Sequence, residues 1–287
     1  MRLRHNSKLI AATAMAVLAA GVATAEALEG VDLVVNEEIT LVTRAAPGPA
    51  VKDVLPEVLS GWLFRESETR TMQMDDFSNP AIVFVDKGTD LWAKVDGSEG
   101  KSCASCHDDI ESMKGVRTSM PKINAAGDDL WSLENFVNDC RTTRMGAEAW
   151  KWNSDDMKNM TAAISMQSRG DVMNVAIDGP AEIWWEQGKE IYYTRYGQLE
   201  MSCANCHETN YGNMIRADHL SQGQINGFPA YRLKDAAVVS IHQRFVGCVR
   251  DTRAETFAAG SPEFRALELY VASRGAGLSV EGVSVRP

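Results

Sequence analysis

A five-residue motif that occurs twice limits most strongly how this chain can fold. Cys103–His107 and Cys203–His207 both read C-x-x-C-H, and they lie 100 residues apart. Pairs of identical residues keep the same offset upstream of the two motifs: Pro80 and Pro180, Ala81 and Ala181, Gly88 and Gly188, Gly97 and Gly197, Ser102 and Ser202. So many matched offsets indicate that one domain is present twice.

The repeat continues beyond the motifs after a shift in register. Pro121 precedes Cys140 by 19 residues, and Pro229 precedes Cys248 by the same 19. Each copy later ends on Ser-Arg-Gly. We predict one domain over residues 77–172 and a second over residues 177–287.

The remaining segments lie outside the repeat. Residues 26–76 contain mixed Val, Leu and Thr segments, and we interpret them as an N-terminal extension with a short strand. Residues 171–179 are interpreted as the linker between the domains.

A helix is predicted at the start of each repeat, over Pro80–Trp92 and over Pro180–Tyr192. Gly88 and Gly188 fall in the middle of these helices, where glycine costs about 1 kcal/mol relative to alanine. We expect a second helix to cross closely over each glycine, although simple tolerance of glycine would leave the same pattern.

A second helix is predicted near the end of each repeat. In the first copy Ser154 is the expected N-cap and Gly170 the stop. In the second copy Ser261 is the cap, Pro262 takes the first helical position, and Gly275 is the stop. The expected fold class is mainly α, with two tandem domains related by the internal repeat.

The C-x-x-C-H spacing is typical of covalent haem c attachment. Two thiols, Cys103 with Cys106 and Cys203 with Cys206, form thioethers to haem, and the following histidine, His107 or His207, ligates the iron. A redox C-x-x-C would need a βαβ context, and a zinc site would need further ligands at suitable spacing. Structural disulfides would not require histidine after both motifs. The motifs therefore predict two covalently bound haem c groups and cytochrome c-type domains.

Counting the remaining ligand types suggests the sixth ligand of each iron. The first domain has no second histidine, and Met214 is the only methionine after the second motif. Cys140 and Cys248 are the only candidate ligands at equivalent positions of both repeats. A thiolate ligand would stabilise Fe(III).

Other ligands and another role for the two cysteines stay open. Cys140 and Cys248 could instead form a disulfide between the domains. His219 and His242 are alternative ligands for the second haem, and His242 could instead lie on an exposed helix face. Several methionines are available to the first haem, among them Met120, Met145 and Met157.

Arginines surround Cys248. Arg244 precedes it by four residues and would share its face of a helix. We interpret Arg250 and Arg253 as surface arginines that pair with nearby carboxylates. An arginine beside a thiolate could recruit an anion that the overall charge of the chain repels.

Charge and the N-terminus restrict the function class and the compartment. With 29 basic and 39 acidic residues the formal net charge is −10, which argues against a nucleic-acid binder. Arg2, Arg4 and Lys8 precede the apolar stretch 9–20, and Ala23–Ala25 is a small-residue cleavage site. We predict a signal peptide over residues 1–25, cleaved near residues 25–27, export to the periplasm, and no membrane span, because the apolar stretch is too short.

The motifs, Cys140 and the stretch His242–Arg253 followed by Gly260–Phe264 closely resemble the SoxA family. Its members are dihaem c-type cytochromes of the SoxAX complex of thiosulfate-oxidising bacteria. The resemblance implies that Cys248 ligates the second haem and is the catalytic residue, found as a persulfide. It also implies that Arg244 stands beside Cys248 and that Cys140 ligates the first haem.

The activity that the resemblance implies is that of an L-cysteine S-thiosulfotransferase. Thiosulfate would be joined oxidatively to a cysteine of the carrier SoxYZ. The monohaem cytochrome SoxX would complete a heterodimer and pass electrons to an acceptor cytochrome c. The alternatives are a dihaem cytochrome that only transfers electrons and a thiosulfate dehydrogenase that forms tetrathionate.

Overall fold

A computed structural model describes residues 32–287 of the chain, so the predicted signal peptide lies outside the described residues. The expected mainly helical fold with two tandem units is confirmed. The helices are α1 (Ser67–Met74), α2 (Ile82–Ala93), α3 (Ala104–His107), α4 (Leu133–Asp139), α5 (Asp155–Met166), α6 (Glu182–Tyr193), α7 (Ile241–Asp251) and α8 (Pro262–Arg274).

The strands are all short and form small sheets between the helices. They are β1 (Leu33–Val35), β2 (Ile39–Leu41), β3 (Arg44–Ala45), β4 (Val58–Leu59), β5 (Lys122–Ile123), β6 (Leu130–Trp131), β7 (Met214–Ile215), β8 (Asp218–His219), β9 (Ala230–Arg232), β10 (Ala237–Val239) and β11 (Ser284–Arg286). Among them β9 lies between antiparallel β10 and parallel β11. The other strands pair as antiparallel hairpins.

The core of the first domain is the crossing of α2 and α5. A Cβ atom added at Gly88 would lie 2.7 Å from the Cβ atom of Ala163 and would overlap the backbone of Asn159. The predicted close crossing is therefore confirmed. Met157 and Met160 are fully buried in this core.

The second domain repeats this arrangement with α6 and α8. A Cβ atom at Gly188 would lie 2.9 Å from the Cβ atom of Tyr270 and would overlap the carbonyl of Ala266. Glycine is needed at both positions because the backbone of one helix contacts the surface of the other.

The caps of α5 and α8 follow the predictions closely. The Ser154 side chain accepts a hydrogen bond from the N–H of Met157, and Ser261 does the same with Phe264. Gly275 is the C-cap of α8 as expected, whereas the C-cap of α5 is Gln167, three residues before Gly170.

Equivalent connections lead into the two helices that carry the distal cysteines. Pro121 and Pro229 each follow a cis peptide bond. A hairpin comes next in each copy, β5–β6 or β9–β10, and then a serine caps the helix: Ser132 begins α4 and Ser240 begins α7. The repeat thus extends to strand and turn structure.

The N-terminal extension packs against the second domain and the C-terminal segment. The sequence predicts a short strand in this extension, and the structure has four, β1 to β4. Buried Glu281 accepts hydrogen bonds from Ser60 and from Gln73, and the N–H of Leu59 donates to the side-chain oxygen of Gln222 at 2.8 Å. The predicted linker also contacts this segment, where Val172 bridges to Ser279.

No helix among residues 32–287 combines the length and the apolar character that crossing a bilayer requires.

Candidate functional site

The first C-x-x-C-H motif lies at the surface of the first domain. Cys103 is half-buried at the start of α3, while Cys106 and His107 are exposed. The ring of Trp92, from the opening helix, lies 5.8 Å from the His107 ring between centroids. Both thiols and the imidazole are thus accessible from one side of this domain.

Cys140 lies beside this motif. It ends α4 and begins a π-helical turn, Cys140–Arg144. Burial raises the pKa of the Cys103 thiol, and the nearby charge of Cys140 raises it further. Burial likewise raises the pKa of Cys140, with a contribution from Cys106. The fold therefore brings together the groups predicted to hold the first haem.

The second motif is more enclosed, and its histidine is held in place. The His207 Nδ1 atom lies 2.8 Å from the carbonyl oxygen of Ser221. Burial lowers the pKa of His207 to about 4, so the ring is neutral at pH 7. A neutral ring that donates from Nδ1 leaves the Nε2 lone pair free, which is the form that ligates a metal.

Gly223 provides the space for the His207 ring. A Cβ atom at this position would lie 2.8 Å from the ring Cγ atom, and Gly223 has a φ of +77°. Neither Ser221 nor Gly223 was predicted as a site residue, because a serine and a glycine in a loop carry no distinctive pattern.

Cys248 lies beside the second motif as Cys140 lies beside the first. It occupies α7 and is half-buried. After burial, the charge of Cys248 is the largest influence that raises the pKa of both Cys203 and Cys206. The structure thus places a third sulfur close to both thiols of the motif.

Arg244 lies one helical turn before Cys248, and its side chain extends toward that residue. A Cβ atom added at Gly247 would lie 3.5 Å from the Arg244 Nη1 atom. The charge of Cys248 is the main cause that raises the pKa of Arg244. Within the described part of the chain the Arg244 side chain makes no hydrogen bond or ion pair, so its guanidinium donors are available to a ligand.

The first domain has no equivalent cation. Phe136 lies four residues before Cys140, as Arg244 lies four residues before Cys248. Its ring packs 5.1 Å from the Trp131 ring between centroids. The two cysteines therefore occupy equivalent positions with different surroundings.

His242 is not on an exposed helix face, so that expectation is wrong. The side chain is fully buried, its Nδ1 atom accepts the N–H of Gly260 at 2.9 Å, and its Nε2 atom donates to Glu268 at 3.1 Å. Both ring nitrogens are occupied, and the Trp152 ring stacks on the imidazole at 4.9 Å.

His219 contacts neighbouring loops. Its Nδ1 atom lies 3.1 Å from the Gly212 carbonyl, and its Nε2 atom lies 3.5 Å from Glu66. With both nitrogens so placed, His219 and His242 are engaged elsewhere than at the second motif.

The alternative of a disulfide between Cys140 and Cys248 does not hold. All six cysteines are free among residues 32–287, and each of these two lies beside a different motif. Arg250 and Arg253 are exposed, as expected for surface arginines, but neither forms the expected ion pair with a carboxylate among the described residues.

Similar loops close the two sites. Gly97 and Gly197 have positive φ, and each packs against the backbone beyond a distal cysteine. The N–H of Glu99 donates to the Met145 carbonyl at 3.1 Å, and the N–H of Leu199 donates to the Thr252 carbonyl at 3.2 Å. Each loop thus ties the segment before a motif to the end of the helix that carries the distal cysteine.

The residues present fit haem c. Each motif offers two free thiols for thioether bonds and one imidazole for iron, and His207 is fixed as a neutral ring with Nε2 free. A further free thiol, Cys140 or Cys248, lies beside each motif.

Comparison with known proteins agrees with this geometry. The family model described as "SoxA/TsdA, cytochrome c domain" matches residues 87–173 and 187–280. The chain is 59% identical to the "L-cysteine S-thiosulfotransferase subunit SoxA" of Paracoccus pantotrophus, over 99% of both chains. It is 54% identical to the subunit of the same name from Rhodovulum sulfidophilum, over 88% of this chain and 89% of the relative.

A solved structure is similar over most of the chain. "Crystal structure of SoxXA from P. pantotrophus" matches with a TM-score of 0.88 and 60% identity, covering 90% of this chain and 99% of that one.

Proposed function

This chain belongs to the SoxA/TsdA cytochrome c family with covalently bound haem c, and from that premise we propose that it is an L-cysteine S-thiosulfotransferase subunit. It conjugates thiosulfate oxidatively to a cysteine of the carrier SoxYZ. Cys248 is the catalytic residue, and Arg244 binds the thiosulfate dianion.

The contrast between the two distal cysteines carries this proposal. Cys248 has an unpaired arginine one turn away, whereas Cys140 has Phe136 in the same place. Electron transfer alone gives no reason for a cation at one cysteine and a phenyl ring at the other. An anionic substrate at Cys248 does give a reason, because its charge needs a partner in a half-buried site.

The reaction forms one sulfur–sulfur bond and releases two electrons. The sulfane sulfur of thiosulfate bonds to the carrier cysteine sulfur, the carrier thiol loses its proton, and the electrons pass to two oxidised cytochrome c molecules. The Cys248 thiolate bonds to the sulfane sulfur of thiosulfate as the two electrons leave, and the carrier thiolate then attacks that sulfane sulfur, takes the whole S–SO3 group and releases Cys248 as a thiolate. Arg244 neutralises the charge of the sulfonate end during both transfers.

The residues beside each motif would hold one haem. Cys203, Cys206, His207 and Cys248 would bind the second, and Cys103, Cys106, His107 and Cys140 the first, which makes two haem c groups. When bound, haem c supplies one-electron oxidation next to the sulfur chemistry. The buried second motif and the His207 contact to Ser221 keep the imidazole oriented for this role.

The proposed partners follow from the relatives. The solved structure of similar fold is titled SoxXA, so we assign a SoxX monohaem cytochrome as the partner in a heterodimer. We also assign the complex to the periplasm, reached through the N-terminal signal. The carrier SoxYZ and an acceptor cytochrome c complete the reaction.

The test uses the complex of this chain with SoxX, matured with haem. The complex is mixed with reduced carrier, thiosulfate and oxidised cytochrome c. The mass of the carrier protein is then measured by mass spectrometry. We expect one thiosulfate per carrier and two cytochrome c molecules reduced for each conjugate. Tetrathionate formed without carrier would identify a thiosulfate dehydrogenase, and an unmodified carrier without tetrathionate would leave only electron transfer.

A further inference from the structure

Each helix that leads to a distal cysteine begins in contact with the other domain. The Ser132 hydroxyl, at the start of α4, donates to the Oε2 atom of Glu268 in α8 at 2.5 Å. The Ser240 hydroxyl, at the start of α7, donates to the side-chain oxygen of Asn153 in the first domain at 2.7 Å. Both serines lie eight residues before the distal cysteine of their repeat. The contact between the domains therefore fixes where both helices begin.

Glu268 also holds the start of α7, through His242. The His242 Nε2 atom donates to the same Oε2 atom at 3.1 Å, and the Nδ1 atom accepts the N–H of Gly260 at 2.9 Å. Because Nδ1 accepts a hydrogen bond, the ring proton is on Nε2. The Trp152 ring of the first domain stacks on the imidazole with 4.9 Å between centroids. One carboxylate oxygen thus binds residues at the starts of both α4 and α7.

The Glu268 carboxylate is buried and charged at this joint. Burial raises the pKa of Glu268, but the hydrogen bonds from His242 and Ser132 and the charge of Arg117 outweigh it, so the pKa lies below its ordinary value. Arg117 and Glu268 line one cavity of about 20 Å³ between the domains. A buried carboxylate that loses a hydrogen-bond donor is left with an uncompensated desolvation cost, so both donors are held firmly.

Helix α7 connects His242 rigidly to Cys248. The two residues are six positions apart in one continuous helix, about 9 Å along its axis. Between them, the Phe245 ring lies 5.9 Å from the His242 ring and 5.5 Å from the Phe264 ring of α8, between centroids. A shift at the start of α7 is therefore passed along the helix to Cys248.

The second motif is held independently of α7. The His207 Nδ1 atom lies 2.8 Å from the carbonyl oxygen of Ser221, in a loop outside α7 and α8. Arg244 and Cys248 share α7 and would move together. A shift of α7 would therefore move the Cys248 sulfur relative to His207, while the arrangement of Arg244 with Cys248 would stay the same.

We propose that Glu268 is a positioning residue that couples the two haem sites, because it holds the starts of both helices that lead to the distal cysteines. Through Ser132, Glu268 and His242 the first domain sets the position of Cys248 beside the second motif. This inference rests on the proposed role of Cys248. It makes the first domain part of the support of the second site.

The experiment changes Ser132 in the first domain and observes the second site. Electron paramagnetic resonance is recorded on the oxidised, haem-loaded complex with SoxX, and the ferric signal of the second haem is identified as the one that Cys248→Ala alters. We expect Ser132→Ala to shift or split this signal. In carrier-conjugation assays kcat falls at least threefold, while the KM for thiosulfate changes less than twofold because Arg244 moves with Cys248.

Ser154→Ala is the matched control. It also removes a serine cap from a helix of the first domain, but among residues 32–287 the Ser154 hydroxyl hydrogen-bonds only to its own helix. We expect the signal of the second haem and kcat to stay at their wild-type values.

Glu268→Gln keeps the test decisive if Ser132→Ala does not accumulate. The amide preserves the shape of the side chain but is a weaker acceptor than a carboxylate. We expect the same change in the signal of the second haem and a fall in kcat of at least tenfold. An unchanged second-haem signal in either variant, or a change confined to the first haem, would overturn the inference. A wild-type complex that fails to conjugate the carrier would overturn the proposed function instead, and the paramagnetic signals would still test the inference.

Discussion

Arg244 and Phe136 occupy the same position in the two repeats and create different environments for the cysteine that follows by four residues. The Arg244 guanidinium reaches the Cys248 side of α7 and is free of internal partners among the described residues. Phe136 packs against Trp131 and the ammonium of Lys122 instead. This one difference between the repeats therefore gives Cys248 a cation one helical turn away and gives Cys140 an aromatic ring in the same position.

Removing this charge should weaken the reaction. We predict that Arg244→Gln lowers kcat/KM for thiosulfate by about tenfold to a hundredfold, because a hydrogen bond to a charged group contributes about 1.5–3 kcal/mol. Steady-state assays of carrier conjugation check this, with Arg250→Gln as the control. Equal activity of Arg244→Gln and wild type would show that the arginine does not bind the substrate.

Gly223 leaves the space that the His207 ring occupies. Gly223→Ala should displace the imidazole, because the new Cβ atom would lie 2.8 Å from the ring. We expect the ratio of haem to protein to fall toward half that of the wild type, measured from the haem absorbance of the purified chain. Gly115→Ala is the control, since Gly115 has the same φ of +77° with no atom within 4 Å of the added Cβ.

The crossing of α6 over α8 depends on a glycine in the middle of α6. Gly188 lowers the intrinsic stability of its helix, yet it allows the backbone of α8 to approach. The same solution appears at Gly88 in the first domain. A glycine in the middle of a helix thus marks the contact that builds each domain core.

We predict that Gly188→Ala destabilises the protein although alanine is the better helix former. Overpacking costs about 1–3 kcal/mol, against about 1 kcal/mol gained in helix propensity. Urea denaturation of the two proteins measures the difference. Gly247→Ala is the comparison, because a Cβ atom there meets nothing closer than 3.5 Å, and it should be neutral or stabilising. A stabilised Gly188→Ala variant would contradict the packing account.

The elements that could be predicted from sequence were those with strong local signals. Serine caps and mid-helix glycines predicted helices and their crossings, and α8 ends at the expected residue. Strands of two or three residues, such as β5 and β6, are too short to show alternation, so their hairpins were missed. Helix α5 ends before Gly170 because the chain turns at Gln167, without needing a glycine.

At the scale of the whole molecule a buried polar cluster joins the two domains. Arg117 donates to the carbonyls of Met120 in the first domain and Ile225 and Phe228 in the second. Glu268 accepts hydrogen bonds from His242 at 3.1 Å and from Ser132 at 2.5 Å. Such long-range contacts, like those of Glu281 with the extension, leave no local trace in the sequence and could not be predicted from it.

Part of the candidate site could also be predicted from the sequence. The two motifs, the distal cysteines and Arg244 are recognisable from spacing, and the fold brings them together. Ser221 and Gly223 were missed because both reach His207 from a loop that carries no distinctive sequence pattern. Their roles depend on the tertiary structure.

The interdomain cluster should make stability depend on pH. Burial raises the pKa of Glu134 to about 7, and the charge of Glu268 adds to this. An acid with a raised folded-state pKa destabilises the fold as pH rises from its unfolded value, about 4.5, to about 7. The loss across this window is at most about 3 kcal/mol.

We therefore predict that Glu134→Gln becomes more stable relative to the wild type as pH rises from about 4.5 to 7. Thermal unfolding of both proteins at several pH values measures the difference, and groups common to both cancel. Exposed Glu186→Gln serves as the control and should show a constant difference. A constant difference for Glu134→Gln as well would mean that Glu134 is ionised in the folded protein throughout.

The most direct measurement of the central claim compares the two distal cysteines in one assay. Haem-loaded complexes carrying Cys248→Ala or Cys140→Ala are incubated with carrier, thiosulfate and oxidised cytochrome c. The mass of the carrier protein is then measured by mass spectrometry. The account predicts that Cys248→Ala abolishes conjugation while Cys140→Ala retains it, with the second motif still bound to haem in both. Carrier conjugated by the Cys248→Ala complex at the wild-type rate would contradict the assignment of the chemistry to Cys248.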